Sequence, residues 1–299
     1  MFKTPKFTRR SGKNCAGPDL SEFLPGHTIA YPSQWRAGVV FASPHSGHLY
    51  PQSFLDRSPL SANELRRNED IYIEKLFASV VLAGAPLLLA RFPRCFVDPN
   101  RAADEIWHED MPSQGKPSAR AAAGLGVVPT HLNEATAIYR KPLSAGEIRA
   151  RIDTLYHPYH AALRRVIDEA KARFGQALLV DCHSMPGFAP MGARRPDVIL
   201  GDRFGAACHP DTMNRIRRIF EMAGYSVGIN YPYAGGFVTQ HYGQPETGVE
   251  AIQIEINRDL YLNPVTLAPK RGYEKLSRNL DHIITEIIEA ALPQERAAQ

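Results

Sequence analysis

Three short apolar runs, each the length of one buried strand and each delivering polar or ionisable residues, constrain this chain more than any other feature. Ala177-Leu-Leu-Val180 runs straight into Asp181, His183 and Ser184. Gly38-Val-Val-Phe-Ala-Ser43 delivers Pro44-His-Ser-Gly47, and Ala251-Ile-Gln-Ile-Glu-Ile-Asn-Arg258 places Glu255 inside an apolar strand. Ligands in open α/β sheets collect at the carboxyl ends of strands, so the three segments are expected to converge. Two histidines and a carboxylate on separate strands suffice to hold zinc and leave a position for water.

The rest of the chain supplies the helices that such strands need. Ser61-Ala-Asn-Glu64 and Ser144-Ala-Gly-Glu147 are capping-box patterns. Ile71, Ile73, Leu76, Phe77 and Val80 keep helical spacing to Gly84, and Ile148, Ile152, Leu155, Tyr159, Leu163 and Val166 keep it to about Phe174, with a kink expected at Pro158. Further strands are expected at Pro86 to Ala90, Arg94 to Val97, Val198 to Leu200 and Tyr225 to Ile229. Helices are expected from about Asp211 to Ala223 and from Tyr273 to Leu292. The alternation predicts a three-layer α/β domain with a mostly parallel, mixed central sheet. It spans 21–299, after a flexible basic tail at 1–20. From Arg101 to Leu143 regularity disappears, and a loop of that length in a compact domain is expected to be a flap over the site.

Several function classes are excluded by composition. The net charge of +4 over 299 residues is small, and the basic cluster Lys3, Lys6, Arg9, Arg10 and Lys13 lacks interleaved aromatics, so no nucleic-acid partner is expected. Cysteines 15, 95, 182 and 208 stand alone, which fits neither a disulfide framework nor a thiolate zinc site. The longest uncharged run, between Lys75 and Arg91, is interrupted by Gly84 and Pro86 and is too short for a membrane span. The expectation is a soluble, cytoplasmic protein.

His45 and His183 each follow an apolar run among small or turn-forming residues, a placement that lets an imidazole approach a metal. His48, Glu69 and Asp70 are all candidates for a third ligand, and Asp181 for orienting His183. Glu255 shares a strand face with Gln253 and Asn257, away from the isoleucines, and is the candidate general base. Asn100-Arg101 offers an amide beside a guanidinium, donors suited to bidentate capture of a substrate carboxylate. Arg203 and Arg258 are further candidates for that clamp.

Pro44-His-Ser-Gly47, Arg67-Asn-Glu-Asp70, Phe92 to Arg101, Pro158-Tyr-His160, Asp181 to Pro186, Leu200 to Gly205, Tyr231 to Gly236, Tyr242 to Pro245 and Gln253 to Arg258 occur in an order that resembles the N-formylglutamate amidohydrolase family. The resemblance covers about residues 38 to 262. That family is similar to the zinc carboxypeptidases and aspartoacylases. The resemblance therefore implies their phosphorylase/hydrolase-like α/β fold, a zinc-bound water, a glutamate base and an Asn-Arg pair gripping a carboxylate. Carried over, these roles fall on His45, His183, Glu255, Asn100 and Arg101. The carboxypeptidase motif His-x-x-Glu is absent, since His48 stands at that spacing, and Asp70 fits the family's acidic position as third ligand. The reaction so implied is hydrolysis of an N-acylated acidic amino acid, with N-formyl-L-glutamate as the lead case. A hydrolase of another acyl substrate, or a silent binder of an amino-acid derivative, are the alternatives.

Overall fold

The computed structural model of the chain describes residues 19–111 and 117–292. The expected basic tail, through residue 18, and Cys15 lie outside the described residues. In chain order the elements begin with β1 (His27–Ala30), β2 (Val39–Ser43), the short helices α1 (Gln52–Leu55), α2 (Ala62–Arg66), α3 (Ile73–Leu76) and α4 (Val80–Ala83), and β3 (Leu87–Ala90). Then come α5 (Ala119–Ala122), a small hairpin of β4 (His131–Asn133) and β5 (Thr136–Ala137), α6 (Ala145–Arg151) and α7 (His157–Phe174). The remainder is β6 (Ala177–Met185), β7 (Val198–Gly201), α8 (Pro210–Met222), β8 (Val227–Ile229), α9 (Phe237–Tyr242), β9 (Val249–Asn257) and α10 (Tyr273–Ala290).

Seven strands form one sheet in the order β1-β3-β2-β6-β9-β7-β8. β3, β2, β6 and β9 run parallel, β1 and β7 pair antiparallel to β3 and β9, and β8 lies parallel to β7. This is the expected mixed α/β class. Helix α7 packs on one face of the sheet, and α3, α4, α8 and α10 pack on the other.

Side chains alternate across a strand, and the alternation explains where the site falls. In β6, Leu178, Val180 and Cys182 face the α10 side, whereas Ala177 and Leu179 face α7. The next residues on the α7 face are Asp181 and His183. In β9 the α10 face keeps Ile252, Ile254 and Ile256, while the α7 face passes from Val249 and Ala251 to Gln253, Glu255 and Asn257. One face of the sheet is therefore apolar throughout, and the other turns polar towards the carboxyl ends. All these polar residues are buried.

Four local expectations are corrected. Arg94 to Val97 is a turn, not a strand: the Phe96 and Val97 N–H groups both donate to the Pro93 carbonyl, at 2.8 and 3.3 Å, while Cys95, Phe96 and Val97 are buried. The helix expected up to Gly84 is broken into the single turns α3 and α4. The expected kink at Pro158 appears instead as a π-helical segment, Ile152–Tyr156, immediately before α7. Proline has no N–H to donate one turn back, so a widened turn just ahead of it loses little. The Ser144 hydroxyl caps α6 through the Glu147 N–H, but the Glu147 carboxylate bonds Arg57 and Arg151 rather than closing the box. Among the described residues, no helix is long and apolar enough to cross a membrane.

Candidate active site

His45 emerges directly after β2, Asp70 lies in the turn before α3, and His183 sits within β6. The Asp70 N–H donates to the His45 carbonyl at 3.0 Å, tying the two segments together. A side chain at Gly47 would place its Cβ 2.0 Å from the Phe92 carbonyl oxygen, so the loop that carries His45 requires glycine there. Nδ1 of His45 is 3.5 Å from Asp70 Oδ2, and Nδ1 of His183 is 2.9 Å from the same oxygen. One ligand atom from each of the three lies within 4.8 Å of the others.

The outward nitrogens are also held. His45 Nε2 is 2.6 Å from Asp98 Oδ1, and Asp98 is in turn paired with Arg94 at 2.8 Å. His183 Nε2 lies 2.9 Å from Asp181 Oδ2 and 3.1 Å from the Asn100 amide. Each ring thus turns Nδ1 to a shared centre and Nε2 to a carboxylate, which is how metal-bound imidazoles are fixed in tautomer and orientation. His45 Nδ1 is buried with no hydrogen-bond partner. An orphaned ring nitrogen aimed at a carboxylate and a second imidazole fits a divalent ion.

The charges follow from these neighbours. Burial alone would raise the Asp70 carboxyl, but the hydrogen bond from His183, the nearby His45 ring and the Arg258 charge hold it well below the usual carboxylate range. Burial alone would lower His183, yet Asp181 and Asp70 raise it well above the usual imidazole value. Glu255 is β6–β9 register partner to His183, and burial pushes its carboxyl up to about 7. The Gln253 amide donates to Glu255 Oε1 at 2.9 Å, and Gln253 Oε1 accepts the Gly236 N–H at 3.0 Å.

Asn100 is buried, and its Oδ1 accepts the Val238 N–H at 2.8 Å. A Cβ on Gly236 would lie 2.4 Å from the Asn100 amide, so a larger residue there would push Asn100 off its bonds to Val238 and His183. Arg101 and Arg203 line a pocket of about 410 Å³ with Asn100 and Gly236, joined by Glu105 and Arg120 from the 101–143 segment. Arg258 is not part of that lining. Its guanidinium donates to Asp70 Oδ1 at 2.8 Å and, through Nε, to the Ser184 hydroxyl at 2.9 Å. His48 is exposed and bonds the Ser46 carbonyl. Glu69 is buried, lies 3.4 Å from Arg66 Nε, and stands outside the cluster.

Sequence reasoning missed the roles of Asp98, Gln253 and His160. Asp98 stood out only as a member of the Phe92 to Arg101 stretch, and its contact with His45 joins residues far apart in the chain. Gln253 carried a signal, since it precedes Glu255 by two and so shares its strand face. His160 is turned onto the 98–101 turn, with Nε2 donating to the Pro99 carbonyl and Nδ1 accepting from the Tyr242 hydroxyl, both at 2.9 Å.

A sequence profile described as N-formylglutamate amidohydrolase matches residues 37–262. An N-formylglutamate deformylase of Pseudomonas putida is 30% identical over 264 residues, covering 87% of this chain and 94% of the relative. Another N-formylglutamate deformylase, of Pseudomonas aeruginosa, is 31% identical over 263 residues, covering 86% and 93%. The fold is similar to the crystal structure of N-formylglutamate amidohydrolase from Ralstonia eutropha JMP134, with a TM-score of 0.83, 32% identity, and 90% and 99% of the two chains covered.

Proposed function

The chain belongs to the N-formylglutamate amidohydrolase family, and from that premise we propose that it hydrolyses N-formyl-L-glutamate to L-glutamate and formate. The observation that carries this reading is the convergence of His45 Nδ1, His183 Nδ1 and the Asp70 carboxylate beside the buried Glu255. Two imidazoles and a carboxylate suit zinc, which when bound supplies a Lewis acid for the formyl carbonyl and lowers the pKa of water.

The protein's own groups do the rest. Glu255, held by Gln253, takes a proton from the attacking water and returns it to the departing amine. Asp98 and Asp181 fix the two imidazoles, and Arg258 holds Asp70 in its ionised form from the side away from the rings. Arg101, next to Asn100, grips a substrate carboxylate. The 101–143 segment acts as a flap, a reading supported by Glu105 and Arg120 in the wall of the arginine pocket. A cytoplasmic setting fits the three free, buried thiols Cys95, Cys182 and Cys208.

The test is a screen of zinc-loaded protein against N-formyl, N-acetyl, N-succinyl and formimino derivatives of glutamate and aspartate. Formate release from N-formyl-L-glutamate far above a Glu255→Ala control is the expected result. Release no greater than that control would remove the reading, and turnover of a non-formyl derivative alone would replace the substrate.

A further inference from the structure

The pocket beside Asn100 holds more positive charge than one carboxylate uses. Arg101 follows the turn after β3, Arg120 sits on α5, and Arg203 lies in the turn after β7, yet all three line the same cavity of about 410 Å³. Arg101 reaches only the Asn100 carbonyl, at 3.4 Å, and leaves its Nε buried and unpartnered. Arg203 reaches only the Gly235 carbonyl, at 3.3 Å. Among the described residues, none of the three guanidinium groups forms an ion pair. Glu105 is the carboxylate in the lining, and its Oε1 already accepts from the Ser118 hydroxyl at 3.0 Å.

Backbone conformation adds a second observation. Arg203 and Phe204 both stand at φ 59, in the left-handed region that non-glycine residues avoid. That turn is fixed by the Arg203 N–H, which donates to the Ala234 carbonyl at 2.7 Å. Of the two only Arg203 lines the pocket, and a strained non-glycine residue in a pocket wall is a feature of sites that hold a side chain in place for a ligand. By itself an exposed arginine on a four-residue helix is a solvated surface cation. Arg120 differs because it meets two other unpaired arginines across one cavity.

One side of the cavity adjoins the candidate metal site. Asn100 and Gly236 connect it to His183 and, through Gln253, to Glu255. Arg101 follows Asn100 in the chain and bonds its carbonyl, while Arg203 bonds the carbonyl that precedes Gly236. Arg120 comes from α5, which contributes no residue to the metal cluster. We propose that Arg120, together with Arg203, binds the side-chain carboxylate of the substrate and so sets a preference for acidic over neutral N-formyl amino acids, while Arg101 takes the carboxylate nearer the reacting amide. This rests on the reading of the site as an N-formylglutamate hydrolase.

The experiment compares kcat/KM for N-formyl-L-glutamate and for N-formyl-L-glutamine, which differ only in the side-chain carboxylate. Losing a charge-assisted hydrogen bond corresponds to about 10- to 100-fold in binding. Arg120→Met is expected to lower kcat/KM for the glutamate derivative by that factor, mainly through KM, to leave the glutamine derivative unchanged, and to keep the Tm. Arg120→Lys should recover part of the preference. An unchanged preference in Arg120→Met would overturn the proposal, as would an equal loss on both substrates. If the unaltered protein hydrolyses neither compound, the reading of the site fails and this proposal with it; hydrolysis with an unaltered preference sinks this proposal alone.

Discussion

At His45 the two ring nitrogens have different partners, and that difference is the basis of the first prediction. Nδ1 faces the shared centre without a partner, whereas Nε2 is bound to Asp98. Asp98→Asn is therefore expected to weaken metal binding by about 10- to 100-fold, measured by competition with a chromophoric chelator, without abolishing it. His45→Ala should abolish it, and a variant that retains a full equivalent of zinc would show that the histidine is structural. Glu255 is separable from the metal. Glu255→Gln should keep zinc and lose about 10²- to 10⁴-fold in kcat, a split that metal analysis and saturation kinetics on one preparation would reveal. The sequence displayed His45 and His183 because each follows an apolar run, and Glu255 because strand alternation puts it on the face away from the isoleucines. It concealed Asp98 and the true partner of Arg258, because both contacts join residues far apart in the chain and no local pattern encodes them.

Elements were legible where burial on both faces wrote a continuous apolar run, as in β2 and the start of β6, or where isoleucines alternate with buried polar residues, as in β9, and illegible where apolar residues pack from a turn. Phe92, Cys95, Phe96 and Val97 look like a strand by composition, but Pro93 turns the chain and the side chains point into the core on the α7 side. That turn is anchored by helix α6. Arg151 is fully buried, donates to the Phe96 carbonyl at 3.3 Å and the Tyr139 hydroxyl at 2.6 Å, stacks 3.7 Å above the Phe96 ring, and pairs with Glu147. Glu147 is held from its other side by both Nη atoms of Arg57. Arg151→Met would leave the half-buried Glu147 carboxylate and the buried Tyr139 phenol each short of a partner, and the expected cost is about 3 kcal/mol. Urea denaturation measures it; a change below a few tenths would show that Arg57 alone satisfies Glu147.

For the whole molecule, the sheet's division into one dry face and one face that turns polar brings histidines into the interior, and this gives stability a dependence on acid. Burial holds His160 neutral, with its pKa lowered to about 4; the charges of His241, His157 and Arg164 act in the same direction, and the Pro99 carbonyl opposes them. A group whose folded pKa is depressed contributes stability that is full above its unfolded value, near 6.5, and is lost as pH falls towards the folded one. The unaltered chain should therefore lose about 1 to 2 kcal/mol more than His160→Gln between pH 7 and 5. Parallel denaturation curves with equal losses would exclude His160 as the cause. The class of fold could be read before any of this, but the depth of the polar face could not, because β6 continues as strand through His183 to Met185. The candidate metal ligands at 45, 70 and 183 also enclose most of the first half of the fold between them. An ion bound there is a removable cross-link: it binds the native chain and has no preformed site in the unfolded one, so metal held at 100 times its dissociation constant should add about 2.7 kcal/mol to stability. Chelation should then lower the melting temperature in proportion to the logarithm of free metal, so that metal supply would govern how long the protein survives as well as how fast it works.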